Sequence, residues 1–267
     1  MLDEAVIRDI IARGSRIDGR RFDEYRKINL RANLVENAEG SARCEIGDTK
    51  VVAGVKLEPG EPFPDTPNEG VLVVNAEFLP IASPEFEPGP PGEEAIEVAR
   101  VVDRVIRESD TIALDRLSID ESHVWKVMID IVVLDHYGNL IDASLLAAMA
   151  ALMHAKIPAL EREGDKIKVC REKREAQLPL NRIPVAVTVC KIGDKLMVDP
   201  DLKEEQALDA RLTLGLFYEN GTTRLCAMQK GGSDGFTKEE LKQAIELAKA
   251  KGRELLQILN ECISHTH

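Results

Sequence analysis

Three arginines, Arg100, Arg104 and Arg107, recur at i, i+4 and i+7 in a segment with a helical pattern of apolar residues. That spacing sets three guanidiniums on one stripe beside the apolar face. Cations about one turn apart can track successive phosphates of a single nucleic-acid strand through bidentate contacts. The same residues could instead pair within the helix, Arg104 with Glu108, Arg107 with Asp103 and Arg100 with Glu97. Spacing alone leaves both readings open. A second charged group, Asp199, Asp201, Glu204, Glu205 and Asp209, could hold Mg²⁺. A solvated loop between strands explains it equally well and is the reading preferred here.

Other chemistries find little support. The histidines His123, His136, His154, His265 and His267 have no Asp or Cys at metal-ligand spacing on a common element, so no metal is expected. No GxSxG elbow, Walker loop or GxGxxG occurs, and no cofactor is expected. The five cysteines, Cys44, Cys170, Cys190, Cys226 and Cys262, form no CxxC pair and mostly sit in apolar runs. They read as buried reduced thiols in a reducing compartment, the cytoplasm. The acidic, amphipathic start is not that of a secretory signal, and no apolar run is long enough for a membrane span. A net charge of −12 excludes a general-purpose nucleic-acid binder, so any RNA contact must come from a local cluster or a more basic partner.

The elements that must position these groups follow from periodicity. A short amphipathic helix is predicted over 3–12, then a charged turn through Asp18-Gly19. Strands are predicted over 27–34, 41–46, 50–57 and 71–78, with Gly47-Asp48-Thr49 as a hairpin connection. A loop rich in Pro and Gly, 84–92, leads into the arginine-bearing helix, 93–109, whose apolar stripe includes Val98, Val101, Val102, Val105 and Ile106. A buried strand over 124–134 then turns through Tyr137-Gly138-Asn139 into a helix over 141–155 that is apolar nearly all round and should be central. Beyond a short strand at 166–171, hairpins are predicted across Gly193-Asp194 and Glu219-Asn220-Gly221. Thr237 with Glu240 gives a capping-box start to a long terminal helix. The chain divides into an N-terminal helix and turn (1–25), a first half (26–171), a polar connector (172–184) and a second half with the long helix (185–267). Each half runs strands first and helix after, an α+β pattern with helices packed on the sheets.

Several segments together resemble the RNase PH family. Arg16-Ile17-Asp18-Gly19-Arg20 followed by Tyr25-Arg26 resembles its N-terminal signature, and Gly40-Ser41-Ala42 through Gly47-Asp48-Thr49-Lys50-Val51 its first hairpin. Glu87-Pro88-Gly89-Pro90-Pro91 and Ala99-Arg100-Val101-Val102-Asp103-Arg104 are similar to the RNase PH-like subunit of the archaeal exosome that lacks an active site. Val198-Asp199-Pro200-Asp201-Leu202 also fits, and the resemblance covers nearly the whole chain.

The resemblance implies an RNase PH-like fold and a family chemistry in which inorganic phosphate attacks the terminal phosphodiester of RNA. In active members a Gly-(Ser/Thr)-Arg run opens the central helix and holds that phosphate. Here Leu140 and Ile141 stand where the hydroxyl and guanidinium would be, and Asp142 should repel the anion. The two carboxylates of active members fall near Gln206 and Leu212, and their RNA-gripping arginines are replaced by Glu93-Glu94. The resemblance thus implies a non-catalytic subunit with no catalytic residue of its own. It would alternate with an active RNase PH-like subunit in a six-membered ring, complete that partner's cleft, and touch single-stranded RNA through Arg100, Arg104 and Arg107. RNA-binding cap proteins would be further partners. The alternative is a phosphorolytic 3′→5′ exoribonuclease active by itself, with Asp209 and Asp201 as displaced acids.

Overall fold

The computed structural model describes residues 4–163 and 166–264. Strands β1 (Ile28–Ala32), β2 (Gly40–Ile46), β3 (Thr49–Gly60), β4 (Val71–Phe78) and β5 (Val124–Asp135) form one sheet in the order β1-β2-β3-β5-β4. All neighbours are antiparallel except β4 and β5, which run parallel with α2 (Glu93–Glu108) in their crossover. A second sheet has the order β11-β10-β8-β9, from β8 (Val185–Ile192), β9 (Lys195–Val198), β10 (Ala210–Glu219) and β11 (Thr222–Gly231).

Three helices lie between these sheets. In α3 (Leu140–His154) every residue from Leu140 to Leu152 is buried, because one side meets β2 and β3 and the other meets β8. This is why its sequence shows no polar face. The α2 helix spans the sheet edges at β4 and β11, and α5 (Lys238–Ser264) packs on β8 and on β1. One continuous apolar core runs through both halves. At the start of α5 the expected capping box forms: Glu240 N donates to Thr237 Oγ1 and Thr237 N to Glu240 Oε2.

All eight residues of β8 are buried, which needs cover on both faces. α1 (Glu4–Ala12) supplies the second cover, setting Ile7 and Ile11 against Cys190, Ile192 and Met197. Cys44 and Cys190 are fully buried, and burial pushes both thiols up; no disulfide forms among the described residues. His265 and His267 lie outside the described residues.

One segment differs from the sequence reading. β6 (Lys156–Glu163) and β7 (Lys166–Gln177) pair as a separate two-stranded ribbon. The stretch 172–184, read as a polar connector, is therefore strand up to Gln177. The arginines of β7 reach the first sheet and the turn before β2: Arg171 pairs with Glu58 and with the buried Glu39, and Arg174 donates to the carbonyls of Glu36 and Ala38.

Candidate functional site

The turn that opens α3 is fixed from several directions. Arg26 donates to the carbonyls of Tyr137 (2.6 Å) and Gly138 (3.2 Å), and Thr49 Oγ1 donates to Gly138 O (2.7 Å). Gly138 has φ +91°, and a Cβ there would stand 2.6 Å from Pro200 O, so conformation and close backbone approach both demand glycine. Asn139 follows in the left-handed region at φ 55°, where asparagine is tolerated.

The carboxylates of 199–209 make a correction to the sequence reading: they are not a solvated loop. Asp199 is fully buried and takes hydrogen bonds from Arg26 Nε (2.9 Å), Arg26 Nη2 (2.7 Å) and Arg20 Nη1 (2.9 Å). Burial opposes its charge, but Arg26 and Arg20 hold its pKa below the usual carboxylate value. Glu204 is buried against Arg16. Asp201 caps α4 (Leu202–Gln206) by accepting from Glu204 N. Asp209 accepts from Arg8 (2.8 Å) and from Gly193 N (2.6 Å), which lower its pKa. The acids on which an independent catalytic activity would rest are thus engaged in structure. Among the described residues no group of three or more His, Cys, Asp or Glu could hold a metal ion.

At the start of α3 lies a cleft of about 260 Å³, lined by Leu140 and Ile141 from the helix, Glu94, Glu97 and Val98 from α2, and Glu205 and Gln206 from α4. Phe78, Glu85, His136 and Arg211 complete much of the remaining wall. The cleft has the helix N-terminus that suits an anion but not the anion's ligands. Leu140 and Ile141 offer no donor side chain. The amide of Asn139 already donates to Glu205 Oε1 at 2.7 Å. Arg211 is the only arginine or lysine in the lining, and it is paired with Glu97. Burial lowers the pKa of His136 and so favours the neutral ring.

Burial also raises Glu205 to a pKa of about 7; the Asn139 amide, Arg211 and Arg26 pull the other way, and Glu94 adds to the rise. Asp142, expected to repel phosphate, is not in the lining. It is fully buried and accepts from Tyr25 Oη (2.7 Å), Thr188 Oγ1 (2.8 Å) and Asn139 Nδ2 (3.1 Å). Burial is the leading influence and lifts its pKa to about 6. The acids that line the cleft are instead Glu85, Glu94, Glu97 and Glu205. Of the places where active members carry acids, Gln206 lines the cleft and Leu212 is buried in β10, 3% exposed.

The arginines of α2 lie outside this cleft. Arg100, Arg104 and Arg107 share a shallow groove of about 260 Å³ with Val74 of β4, and all are exposed. The intrahelical pairs foreseen from spacing form only in part. Arg107 pairs with Asp103 at 2.7 Å and also donates to Leu72 O at 3.2 Å, tying α2 to the sheet edge. Glu97 turns to Arg211 and Gln229 instead of Arg100. Arg100 and Arg104 carry no hydrogen bond or ion pair to the described residues.

Known proteins place this architecture. Residues 24–158 match domain 1 of the 3′ exoribonuclease (RNase PH) family and residues 182–251 match domain 2. The chain belongs to that family. It is 49% identical to the exosome complex component Rrp42 of Methanopyrus kandleri over 246 residues, 92% of this chain and 91% of that protein. A chain of the Archaeoglobus fulgidus exosome with RNA bound to the active site superposes with a TM-score of 0.87 at 43% identity, covering 95% of this chain and 96% of that one. A chain of an archaeal exosome core gives 0.82 at 40% identity, with coverage of 96% and 97%.

Proposed function

We propose that this chain is a non-catalytic subunit of an exosome ring, supporting 3′→5′ phosphorolytic RNA degradation by an active RNase PH-like partner. One observation carries the reading: the cleft at the start of α3 presents Leu140, Ile141 and four carboxylates where a phosphorolytic site needs anion ligands. Phosphate entering it would meet repulsion in place of a guanidinium. The likeness to exosome components supports the assembly, and edge strands left open for neighbours fit it. Val73 on β4 and Leu225 and Met228 on β11 are exposed apolar residues on such edges.

In this reading the chain alternates with the active subunit, completes that subunit's cleft, and offers Arg100 and Arg104 to RNA phosphates. Arg107 stands beside them as the link to β4. RNA-binding cap proteins would dock on the assembled ring. The lack of disulfides among the described residues fits a reducing compartment, the cytoplasm.

The test incubates the purified chain with single-stranded RNA, Mg²⁺ and phosphate, alone and after mixing with an active RNase PH-like subunit. Shortening from the 3′ end with release of nucleoside diphosphates is expected only in the mixture. Release by the chain alone would overturn the reading. So would two separate species in size-exclusion chromatography with light scattering at micromolar concentration.

A further inference from the structure

We propose that the cleft at the start of α3 is a binding site for an organic cation, an alkyl ammonium or guanidinium head on an apolar stem. The inference goes beyond the ring assignment and does not depend on it. The cleft combines an apolar wall with acids of unmatched charge. Leu140, Ile141, Leu202 and Phe78 supply surface for a hydrocarbon stem. The carboxylates of Glu85 and Glu94 have no hydrogen-bond or ion-pair partner among the described residues. Glu205 spends Oε1 on the Asn139 amide and makes no hydrogen bond through Oε2.

A second feature asks independently for a donor. Asn139 lines the cleft and is 2% exposed. Its Nδ2 is committed to Asp142 (3.1 Å) and Asp199 (2.9 Å). Its Oδ1, on the side of the amide turned away from those acids, is buried without a partner. A buried carbonyl oxygen with no donor is costly, and a ligand N–H would relieve it.

The kind of cation follows from the layout. No three acidic or metal-ligating side chains converge tightly enough for a metal ion among the described residues. Carboxylates spread around a cavity suit a cation with several N–H donors and a stem that uses the apolar wall. Two sources share this chemistry: a free polyamine-like molecule, and a Lys or Arg side chain of a neighbouring subunit.

Titrate butylguanidinium and butylammonium into the purified chain by calorimetry at low salt. A single saturable site is expected, with MgCl₂ at equal ionic strength a poor competitor. Glu94→Gln with Glu205→Gln should weaken binding about tenfold or more, a change of about 1.4 kcal/mol or more. Glu239→Gln with Glu246→Gln, remote acids on α5, should leave it unchanged. Gln206→Arg, at an exposed position of the wall, would supply an internal guanidinium and should abolish binding with the thermal midpoint intact. Unsaturable binding, or equal affinity in the wild type, the double Gln variant and Gln206→Arg, would show diffuse attraction to an acidic protein and overturn the proposal. Repeating the titration on the complex with an active RNase PH-like subunit separates the sources. Binding that persists marks an open site for a free cation, and binding lost on assembly marks a socket filled by the neighbour.

Discussion

Arg16 and Glu204, 188 residues apart, meet in the interior, with Arg16 Nε 2.8 Å from Glu204 Oε1 and both side chains almost wholly buried. Arg16 also donates to the carbonyls of Val198 (3.1 Å) and Asp199 (2.7 Å), and so welds the N-terminal turn to the second sheet. Truncating one member of a buried pair strands the other charge. Arg16→Ala should therefore destabilise the chain by about 3–5 kcal/mol. Adding Glu204→Gln should recover part of the loss. Urea denaturation of the singles and the double measures this; strictly additive losses would mean that the two side chains do not interact.

Gly40 lies where β2 passes the end of α3. A Cβ there would stand 2.2 Å from Ala151 O and 2.9 Å from the Ala155 Cα. Both are backbone atoms that cannot swing aside. Gly40→Ala should cost about 1–3 kcal/mol or more, as overpacking in a dense interior does, read as a lower urea midpoint at unchanged slope.

The raised carboxylates make stability depend on pH in an unusual direction. Burial raises Glu205 from the ordinary glutamate value of 4.5 to about 7, so the folded state holds its proton longer than the unfolded state. Stability from this group is fully present below the unfolded pKa and is lost as pH rises toward about 7. Asp142, raised to about 6, acts in the same sense. Asp199, held low by Arg26 and Arg20, acts oppositely and only under more acidic conditions. Glu205→Gln should flatten the decline and make the variant more stable than the wild type at alkaline pH. The gain should be on the order of 2 kcal/mol, below the full linkage value because the residue retains some solvent contact. Equal differences between the two proteins at pH 5 and pH 8 would contradict this assignment.

Much of the scaffold was legible because local pattern and burial agree in it. The α2 stripe, the all-apolar α3 and the hairpins across Gly193-Asp194 and Asn220-Gly221 all read directly from periodicity and turn residues. The β6–β7 ribbon was legible only at 166–171, because the rest of β7 is charged and the apolar residues of β6, Ile157, Ala159 and Leu160, follow no strict period of two. The partners of Asp199, Glu204 and Asp209 were hidden for a different reason. They come from Arg8, Arg16, Arg20 and Arg26, at separations that no spacing rule reaches. In the cleft, Leu140, Ile141, Glu94 and Gln206 were foreseen through the family resemblance. Glu85, His136 and Arg211 were missed because separate elements bring them together, and Asp142 was misplaced because helical phase turns it inward.

The arginines of α2 divide by partner, and the division gives a graded test. Arg107 is held by Asp103 and the Leu72 carbonyl, whereas Arg100 and Arg104 lack a partner among the described residues. Free guanidiniums on an otherwise acidic chain are the groups that an RNA phosphate would find. In the assembled ring, Arg100→Glu should weaken single-stranded RNA binding by about 1–3 kcal/mol, the range of a charge-assisted contact. Arg104→Glu should act likewise, and the double reversal should lower the salt dependence of binding. Arg107→Ala should instead lower thermal stability, since it releases α2 from the edge of β4, and should change RNA affinity less. Neither reversal touches the buried valines of α2, so assembly should survive, and light scattering must show an intact ring before affinities are compared. Unchanged RNA affinity at low salt in an intact ring with both reversals would make the stripe an ordinary solvated face. The chain's contribution to RNA degradation would then rest on completing the partner's cleft alone.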